Sequence, residues 1–374
     1  MFNIRRPLSL DEINTWLLKI TCIFWLFAKL IGWRVWTTYR LFPTAPIAER
    51  LDHIPPAVHL ILFLLQILFI IALLFPIKNK IVLIGLLAVE IFSCLLDQSR
   101  LQPYEYQYIF IVFIFLVNTN SPKFIPAAVI FILAATYFYS GLHKLNEGFI
   151  QLMWTKAILR SFLKLPPAIA GARWLYYSGY LAGIIESAAG LGLLFPKTQK
   201  TAATVLILMH LFILVLLGPL GLRYNRIVWP WNAAMILYLY TLFLRRNEDT
   251  FVLGTIFSGW NKLVFIAWGV LPALNFIGCW DNYLSSSIYS EKLPNMAICI
   301  SDTAKCRQLR GFFQYNSLNY CNGRAMINIQ HWALTEMNSA PYGEIRVYKI
   351  LQKKLETEYP AAGLGYRYIE NAKH

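Results

Sequence analysis

The amino-acid sequence predicts an all-α polytopic membrane protein of about nine transmembrane helices, with a small α+β C-terminal domain outside the membrane. The 374 residues are 57% hydrophobic and only 14% charged, whereas globular domains usually carry about a quarter charged residues. The mean hydropathy is +0.50. Apolar runs with short polar breaks recur from Ile13 to about Phe276, which is the pattern of repeated membrane crossings.

The positive charge does not indicate a nucleic-acid partner. The formal net charge is +15, but the cations are spread through the loops between the apolar runs. Basic loop residues are the usual topology signals of membrane proteins. We therefore expect the lipid bilayer, and no nucleic acid, as the main partner of the chain.

Nine runs approach the roughly 20 apolar residues that a helix needs to cross a bilayer, although several are shorter. The last of them could instead be re-entrant. Residues 148–172 are less apolar and contain Pro166 and Pro167, which fits an interfacial amphipathic helix followed by a turn. The nine predicted spans are residues 17–33, 57–77, 81–96, 106–117, 124–143, 174–195, 202–217, 231–244 and 263–277.

The turns between spans set the predicted orientation, because Lys and Arg concentrate on the cytoplasmic side. We expect the amino terminus in the cytoplasm, residues 1–279 as the membrane domain and residues 280–374 as an external domain, as in a multi-pass protein of a bacterial inner membrane. Basic residues on the other side, such as Arg34 and Arg223, make the rule imperfect here. The residues that mark the cytoplasmic side are Arg5, Arg6, Lys78, Lys80, Lys197, Lys200, Arg245 and Arg246.

The cysteines divide between the two predicted domains. Cys22 and Cys94 sit in apolar spans, where a thiol behaves as a small hydrophobe. Four more lie in the last part of the chain, where an external location favours two disulfides in one of three pairings. Free thiols are one alternative, and a metal site is a weaker one, because there is no C-x-x-C. These four are Cys279, Cys299, Cys306 and Cys321.

The external domain contains three recognisable elements. Residues 296–300 and 325–329 have the character of short strands. Residues 342–359 have apolar positions at helical spacing, with Pro341 before them and Pro360 after them, so we expect an amphipathic helix there.

Polar groups inside apolar spans are candidates for function, because each must be protonated, paired or hydrated there. The plausible partners of Glu90 and Glu186 are Lys144, Arg100 and His210. The alternative for each residue is a structural ion pair or hydrogen bond between helices. The full set is Glu90, Asp97, Arg100, Lys144, Glu186 and His210.

Three loops on the predicted external face combine aromatic rings with hydrogen-bonding groups: residues 95–108, 136–148 and 218–232. An aromatic belt at the interface would explain the rings alone. Because polar side chains accompany the rings, we expect a pocket for a quinone or another lipid-like ligand. The expected ligand-binding residues are Arg100, Gln102, Tyr106, Tyr137, Arg226, Trp229 and Asn232.

Lys144 is the leading candidate for a catalytic base. It lies beside His143 in the segment T-Y-F-Y-S-G-L-H-K-L-N-E-G, residues 136–148, where apolar surroundings favour the neutral amine. Tyr137, Ser140 and Gly141 lie one or two turns earlier on roughly the same face, and the glycine allows close approach by a helix or a ligand. The alternative is a lysine that extends to the interface from a helix end.

At these residues the chain resembles the horizontally transferred transmembrane (HTTM) family, in the superfamily of the vitamin K-dependent gamma-carboxylase. The segment Y-F-Y-S-G-L-H-K-L-N is similar to the carboxylase segment that ends in G-x-K-K-L-D, and L-D-Q-S at residues 96–99 is similar to L-D-K-T. The resemblance covers roughly residues 13–280. It implies that Lys144 deprotonates a quinol of the menaquinol, vitamin K or ubiquinol type, and it agrees with nine spans and an external carboxyl terminus.

The chain also departs from the carboxylase pattern. Tyr104 falls where the carboxylase has a catalytic histidine, and His143 replaces the first lysine of its pair. The external domain has only about ninety residues, whereas the carboxylase has a large region that engages its peptide substrate. The segments L-Q-P-Y-E-Y and W-P-W-N are more similar to bacterial members of the superfamily. The resemblance therefore supports the fold more than glutamate carboxylation.

Three functions remain open at this point. The first is a quinol-linked oxidoreductase or carboxylase-like lyase with Lys144 as general base and His143, Asp97 and Tyr104 nearby. The second is a non-catalytic membrane subunit or lipid-binding scaffold that presents its outer domain to a protein partner. The third is transport along a proton path, although no inverted repeat is evident. No phosphate loop, haem attachment motif or dinucleotide fingerprint occurs.

Overall fold

The computed structural model describes residues 6–75, 79–246, 253–315 and 320–369. Arg5 and Lys78, which the orientation argument uses, lie outside these ranges. The described chain is mainly helical with one three-stranded sheet, as the sequence predicts for the fold class. The helices of the first part are α1 (Leu10–Ile31), α2 (Trp33–Thr37), α3 (Pro56–Leu74), α4 (Lys80–Leu96), α5 (Pro103–Val117), α6 (Ile125–His143), α7 (Pro167–Ala170), α8 (Arg173–Tyr177), α9 (Gly179–Gly192), α10 (Gln199–Leu217), α11 (Val228–Leu239), α12 (Asn261–Phe265) and α13 (Leu271–Leu274).

Three π-helical segments extend this helical part. Phe149–Phe162 occupies the predicted interfacial stretch, Tyr240–Leu244 prolongs α11, and Ile266–Val270 joins α12 to α13. The C-terminal part contains β1 (Asn295–Ile300), β2 (Ala325–Asn328), α14 (Ile329–Met337), α15 (Ile345–Glu358) and β3 (Leu364–Ile369).

Four helices of the described chain are long and apolar enough to cross a membrane, which is fewer than the nine predicted spans. Helical segments do occupy all nine predicted positions, but α5 has only 15 residues and a break at Ser178 separates α8 from α9. The four long helices are Leu10–Ile31, Pro56–Leu74, Pro122–His143 and Gln199–Leu217.

Local sequence signals explain where several helices begin. Ser9 and Glu12 form a capping box at the start of α1, which satisfies two backbone N–H groups that have no partner within the helix. The side chain of Asn79 accepts a hydrogen bond from Ile81 N at 2.9 Å and caps α4. Pro56 and Pro103 occupy the first positions of α3 and α5, where the missing N–H costs nothing.

Helix α6 is the most buried of the four long helices, and it contacts α9 through small residues. A Cβ atom on Gly141 would lie 2.4 Å from the carbonyl oxygen of Gly183, and one on Gly190 would lie 2.9 Å from that of Ala134. Ser187 Oγ also donates a hydrogen bond to the carbonyl of Phe138 at 2.9 Å. The predicted close approach at Gly141 is therefore made by a helix.

The C-terminal domain, which is the outer domain of the predicted topology, contains an antiparallel sheet in the order β2-β1-β3. Ile298 in the central strand pairs with Ile327 on one side and with Tyr366 on the other. Helices α14 and α15 pack on the sheet through residues such as Trp332 and Leu351. The two predicted strands and the predicted helix are present, while α14 and β3 were not predicted.

The outer domain does not enclose its core alone. Val35, Trp36 and Phe42, from the region after α1, belong to the same hydrophobic cluster as the sheet and its helices. The carboxylate of Glu336 in α14 accepts hydrogen bonds from the backbone N–H groups of Leu41 at 2.6 Å and Phe42 at 2.8 Å. These contacts fix the C-terminal domain to residues 38–54, which form the first external segment in the predicted topology.

The four late cysteines do not all pair. Cys299 in β1 forms a disulfide with Cys321, so one bridge is present where two were expected. Cys279 is exposed and Cys306 is buried, and both are free thiols. Cys306 lies within the 3₁₀-helical segment Thr303–Phe312, and burial raises the pKa of its thiol.

We expect Gly141→Ala to destabilise the protein by about 1–3 kcal/mol, because the added methyl meets backbone atoms of Gly183 and Ser187 as well as the Ser187 hydroxyl. Gly311→Ala is the matched control, since a Cβ there meets nothing within 4 Å. The measurement is denaturant-induced unfolding in mild detergent. Equal stability of the two variants would contradict the close α6–α9 packing.

A second prediction concerns orientation. Because Cys279 is exposed and follows the last predicted span, residues 263–277, a membrane-impermeant maleimide should label it in intact cells, and Cys279→Ser should abolish the labelling. Buried Cys306 should react only after unfolding. Labelling of Cys279 that required permeabilised cells would place the outer domain on the cytoplasmic side.

Candidate functional site

Lys144 is ion-paired with Glu186. Lys144 directly follows α6, Glu186 lies in the middle of α9, and the ammonium donates a hydrogen bond to the Glu186 carboxylate. The Lys144 ammonium also donates a hydrogen bond to Ser140 Oγ at 3.1 Å. The Lys144 side chain keeps 12% of its surface exposed and that of Glu186 keeps 5%. Lys144 was among the expected partners of Glu186, and it does not extend freely into solvent.

A second buried polar group lies on the same face of α6. The Tyr137 hydroxyl is 2.7 Å from His210 Nε2 in α10, and His210 Nδ1 is 2.7 Å from Asn232 Oδ1 in α11. An amide oxygen can only accept, and the Asn232 amide nitrogen already donates to the carbonyl of Val228 at 2.9 Å. His210 therefore carries its proton on Nδ1, and Tyr137 donates to Nε2.

The two groups form one row of polar side chains. Tyr137, Ser140 and Lys144 follow each other at helical spacing along α6, so they share a face. Lys144 interacts electrostatically with His210, and Glu186 with Tyr137. The row thus joins four helices, α6, α9, α10 and α11, inside the apolar bundle.

A third buried cluster centres on Lys29, which the sequence analysis missed. Lys29 Nζ is 2.9 Å from the carboxylate of Glu90 and 3.3 Å from that of Glu105, and all three side chains are fully buried. Trp25 Nε1 donates to Glu105 at 2.7 Å. The expectation that Glu90 pairs with Lys144, Arg100 or His210 is wrong, because the side chain of Lys29 in α1 reaches both Glu90 in α4 and Glu105 in α5. A lysine inside the predicted span 17–33 was the feature of the sequence that could have indicated this cluster.

Asp97 and Arg100 connect the end of α4 to α2 and to the segment that follows α2. Asp97 is ion-paired with Arg40 and accepts hydrogen bonds from the backbone N–H groups of Ala45 and Ser99, each at 3.1 Å. The Arg100 guanidinium donates to three backbone carbonyls, at 2.9–3.1 Å, and to the Ser93 hydroxyl at 2.8 Å. These contacts hold α2 and the first external segment against the end of α4.

The other two expected catalytic residues lie in different surroundings. The His143 ring stacks on Phe276 with centroids 4.5 Å apart, and within the described chain neither ring nitrogen has a hydrogen-bond partner. Tyr104, at the start of α5, is buried and lines a cavity of about 70 Å³ at the junction with the outer domain.

The expected ligand-binding residues are not gathered in one pocket. Gln102 lines the junction cavity, and Tyr137 and Asn232 belong to the His210 group. Tyr106 stacks on Trp268 with centroids 4.9 Å apart. Arg226 is exposed, and Trp229 Nε1 donates to the carbonyl of Tyr224 at 3.2 Å. The first and third predicted loops do meet, since Gln102 and Tyr104 line the cavity together with Asn225 and Trp231.

No metal centre is found among the described residues, where no three His, Cys, Asp or Glu side chains are grouped to hold an ion. Comparisons of the chain with protein-family models, curated proteins and solved structures find no match. The function is therefore argued from the residues of the site.

We expect Lys29→Met to destabilise the protein by about 3–5 kcal/mol, because it leaves two buried carboxyl groups without their cation. Glu90→Gln should cost clearly less, since Lys29 then keeps Glu105 as a single partner. Unfolding of both variants in mild detergent provides the measurement. Equal losses would mean that Lys29 does not hold the cluster together.

Proposed function

We propose that this chain is a membrane enzyme that removes a proton from an apolar ligand bearing an acidic hydroxyl, with a quinol as the first substrate class to test. The observation that carries the proposal is the Lys144–Glu186 pair, which lies at the edge of the apolar bundle and is still partly accessible. The resemblance to the HTTM family supports the same residue, Lys144, and the same ligand class.

The pair offers both a proton acceptor and a counter-charge. It holds one proton between the Lys144 amine and the Glu186 carboxyl. Whichever of the two is unprotonated can accept a second proton from a ligand hydroxyl, and the resulting ammonium then compensates the oxyanion that the ligand becomes. This differs from the lone neutral amine expected from the sequence, because the base is now shared between two side chains.

The Tyr137–His210–Asn232 group gives the pair a neighbour that can hold a proton. Because Asn232 fixes the tautomer, His210 Nε2 is the basic atom and already accepts the Tyr137 proton. The row of polar groups along α6 therefore provides positions for proton transfer away from the ligand.

An apolar ligand would reach the pair from the lipid side. On α9, Leu181, Ile184 and Ile185 beside Glu186 are exposed, as expected of a lipid-facing surface. The junction cavity, at about 70 Å³, is about half the volume of a cavity of 150 Å³ that binds benzene. We therefore place a quinol ring at the lipid-facing side of Lys144 and not in that cavity.

The proposal includes the full membrane topology. The shorter helical segments at the predicted positions are taken to cross the bilayer with the four long helices, which gives nine spans. The amino terminus is then cytoplasmic and the outer domain external. This arrangement puts Lys144, at the end of the fifth span, on the external side of the membrane.

A second candidate is a scaffold that presents the outer domain to a protein partner. The outer domain is held to the first external segment by Glu336, by the Lys353–Glu49 pair at 2.6 Å and by the Lys354–Asp52 pair. Such a fixed attachment suits presentation at a set distance from the membrane. This function would not depend on Lys144.

The test is oxygen uptake by the purified protein with a panel of hydroquinones. Lys144→Met should lower the rate by about 10²–10⁴-fold, the usual contribution of a general base, and Glu186→Gln should also lower it. Lys156→Met is the matched control, since Lys156 is exposed on the interfacial helix. Undiminished turnover in Lys144→Met would end this mechanism. No uptake from folded protein with any quinol would favour the scaffold, to be tested by pull-down in mild detergent.

A further inference from the structure

A second cavity lies where the first helices meet the outer domain, separate from the acid–base pair and from the junction cavity. We call it the Arg34 cavity, and its volume is about 280 Å³. Ile31 at the end of α1 lines one side together with Trp33 and Arg34 in α2, and the end of α14 lines the other. A molecule bound there would therefore contact both parts of the protein. The lining residues at the end of α14 are Thr335, Glu336, Met337 and Asn338.

Arg34 is an exposed cation with most of its hydrogen-bond donors free. Its Nη1 donates to the carbonyl of Glu336 at 3.3 Å, and its guanidinium carbon lies 5.5 Å from the centre of the Trp33 ring. A guanidinium has five N–H donors, and within the described residues Arg34 forms no ion pair. A planar fork of free donors matches the oxygens of a phosphate.

The acidic residue of the lining does not neutralise Arg34. The Glu336 carboxylate accepts hydrogen bonds from the backbone N–H groups of Leu41 and Phe42 and from Trp332 Nε1 at 2.8 Å. Three donors therefore compensate its charge inside the outer domain, where the residue is buried. The charge that remains for a ligand in the cavity is the cation of Arg34.

The chain around the cavity is basic. The backbone N–H of Ile227 donates to the carbonyl of Asn338 at 3.4 Å, which places the preceding residue, the exposed Arg226, near the cavity. Residues 13–48 and 187–247 contain no Asp or Glu. Because Lys and Arg usually concentrate on the cytoplasmic side, the predicted topology gives no reason for these arginines on the external side. A head group with a net negative charge would supply one.

An apolar stripe leads along α1 to the cavity. Ile23, Phe27 and Leu30 are exposed, and their spacing of four and three residues puts them on one face of the helix. Arg34 follows four residues later, just beyond the end of α1 at Gly32. Since α1 is one of the four helices long enough to cross a membrane, we expect this stripe to contact acyl chains.

We propose that the Arg34 cavity binds the phosphate of an anionic phospholipid, with Arg34 as its counter-ion and the acyl chains on the apolar stripe. The neutral donors are the Thr335 hydroxyl and the second N–H of the Asn338 amide, whose first N–H donates to the carbonyl of Ile31 at 3.3 Å. The cavity has the volume of about nine water molecules at roughly 30 Å³ each, so the head group enters and the chains remain outside. The site rests on the proposed membrane topology and does not depend on Lys144.

The first experiment is native mass spectrometry of the full-length chain taken from nanodiscs with equal amounts of phosphatidylglycerol and phosphatidylcholine. The wild type should retain phosphatidylglycerol in preference, because the choline group already compensates the phosphate of the other lipid. Arg34→Gln should lower this retention about tenfold or more, and Arg34→Lys, which keeps the charge without the fork, should lower it less. Arg310→Gln is the matched control, because Arg310 is exposed and lies outside the cavity.

The second experiment separates a lipid from a soluble phosphate compound. Phosphatidylglycerol added to the protein in mild detergent should raise the temperature of thermal unfolding of the wild type, since a ligand that binds the folded state stabilises it. The same addition should not stabilise Arg34→Gln, and glycerol phosphate should not stabilise either protein. Stabilisation by glycerol phosphate alone would identify a soluble phosphate compound as the occupant and overturn the lipid assignment.

The proposal is also overturned if the folded wild type retains the two lipids equally, or if Arg34→Gln retains phosphatidylglycerol like the wild type. Because Arg34→Gln removes a hydrogen bond within the protein, Thr335→Val provides a second variant. Among the described residues the exposed Thr335 hydroxyl has no hydrogen-bond partner, so its removal should leave folding intact. It should weaken retention of phosphatidylglycerol by about threefold or more.

Discussion

Several charged side chains are buried inside this structure, and their burial governs how the helices pack. A buried charge is costly unless another charge or a hydrogen bond compensates it. Three ion pairings meet this requirement in three places. Lys29 ties α1 to α4 and α5 through Glu90 and Glu105, and Lys144 ties the end of α6 to α9 through Glu186. Arg40 with Asp97 does the same for the external loops. Helix neighbours are thus selected by charge as well as by shape.

The same constraint separates residues that hold the fold from residues that remain available for chemistry. Arg100 has its donors engaged by backbone carbonyls, Ser93 and His59, and Lys29 is enclosed completely. Lys144 differs, because its pair lies at the end of a helix and keeps some exposure. The small residues where α6 meets α9 let the two helices approach closely enough for this pair to form.

The positions of the helices could be predicted from the sequence, because apolar runs are visible in the chain itself. The Lys144–Glu186 pair could also be predicted from the sequence, because both residues are polar groups in or beside predicted spans. The Lys29 cluster was missed although Lys29 lies inside a predicted span, because linear order does not reveal that the side chain of Lys29 reaches carboxylates on both α4 and α5. The junction cavity could be predicted only in part, because Gln102 and Asn225 lie in two of the predicted loops, whereas Tyr283 and Tyr348 come from the last part of the chain.

The attachment of the outer domain has a consequence for the order of assembly. The backbone N–H groups of Leu41 and Phe42 donate hydrogen bonds to Glu336, which lies 295 and 294 positions later in the chain. Asp52 is paired with Lys354, which lies 302 positions later. During synthesis, the first external segment can pair early with Asp97 and Gln98, but its contacts with Glu336 and Lys354 form only after almost all of the described chain has been made. Contacts of such long range form slowly, so we expect them to fix this segment in place late in folding.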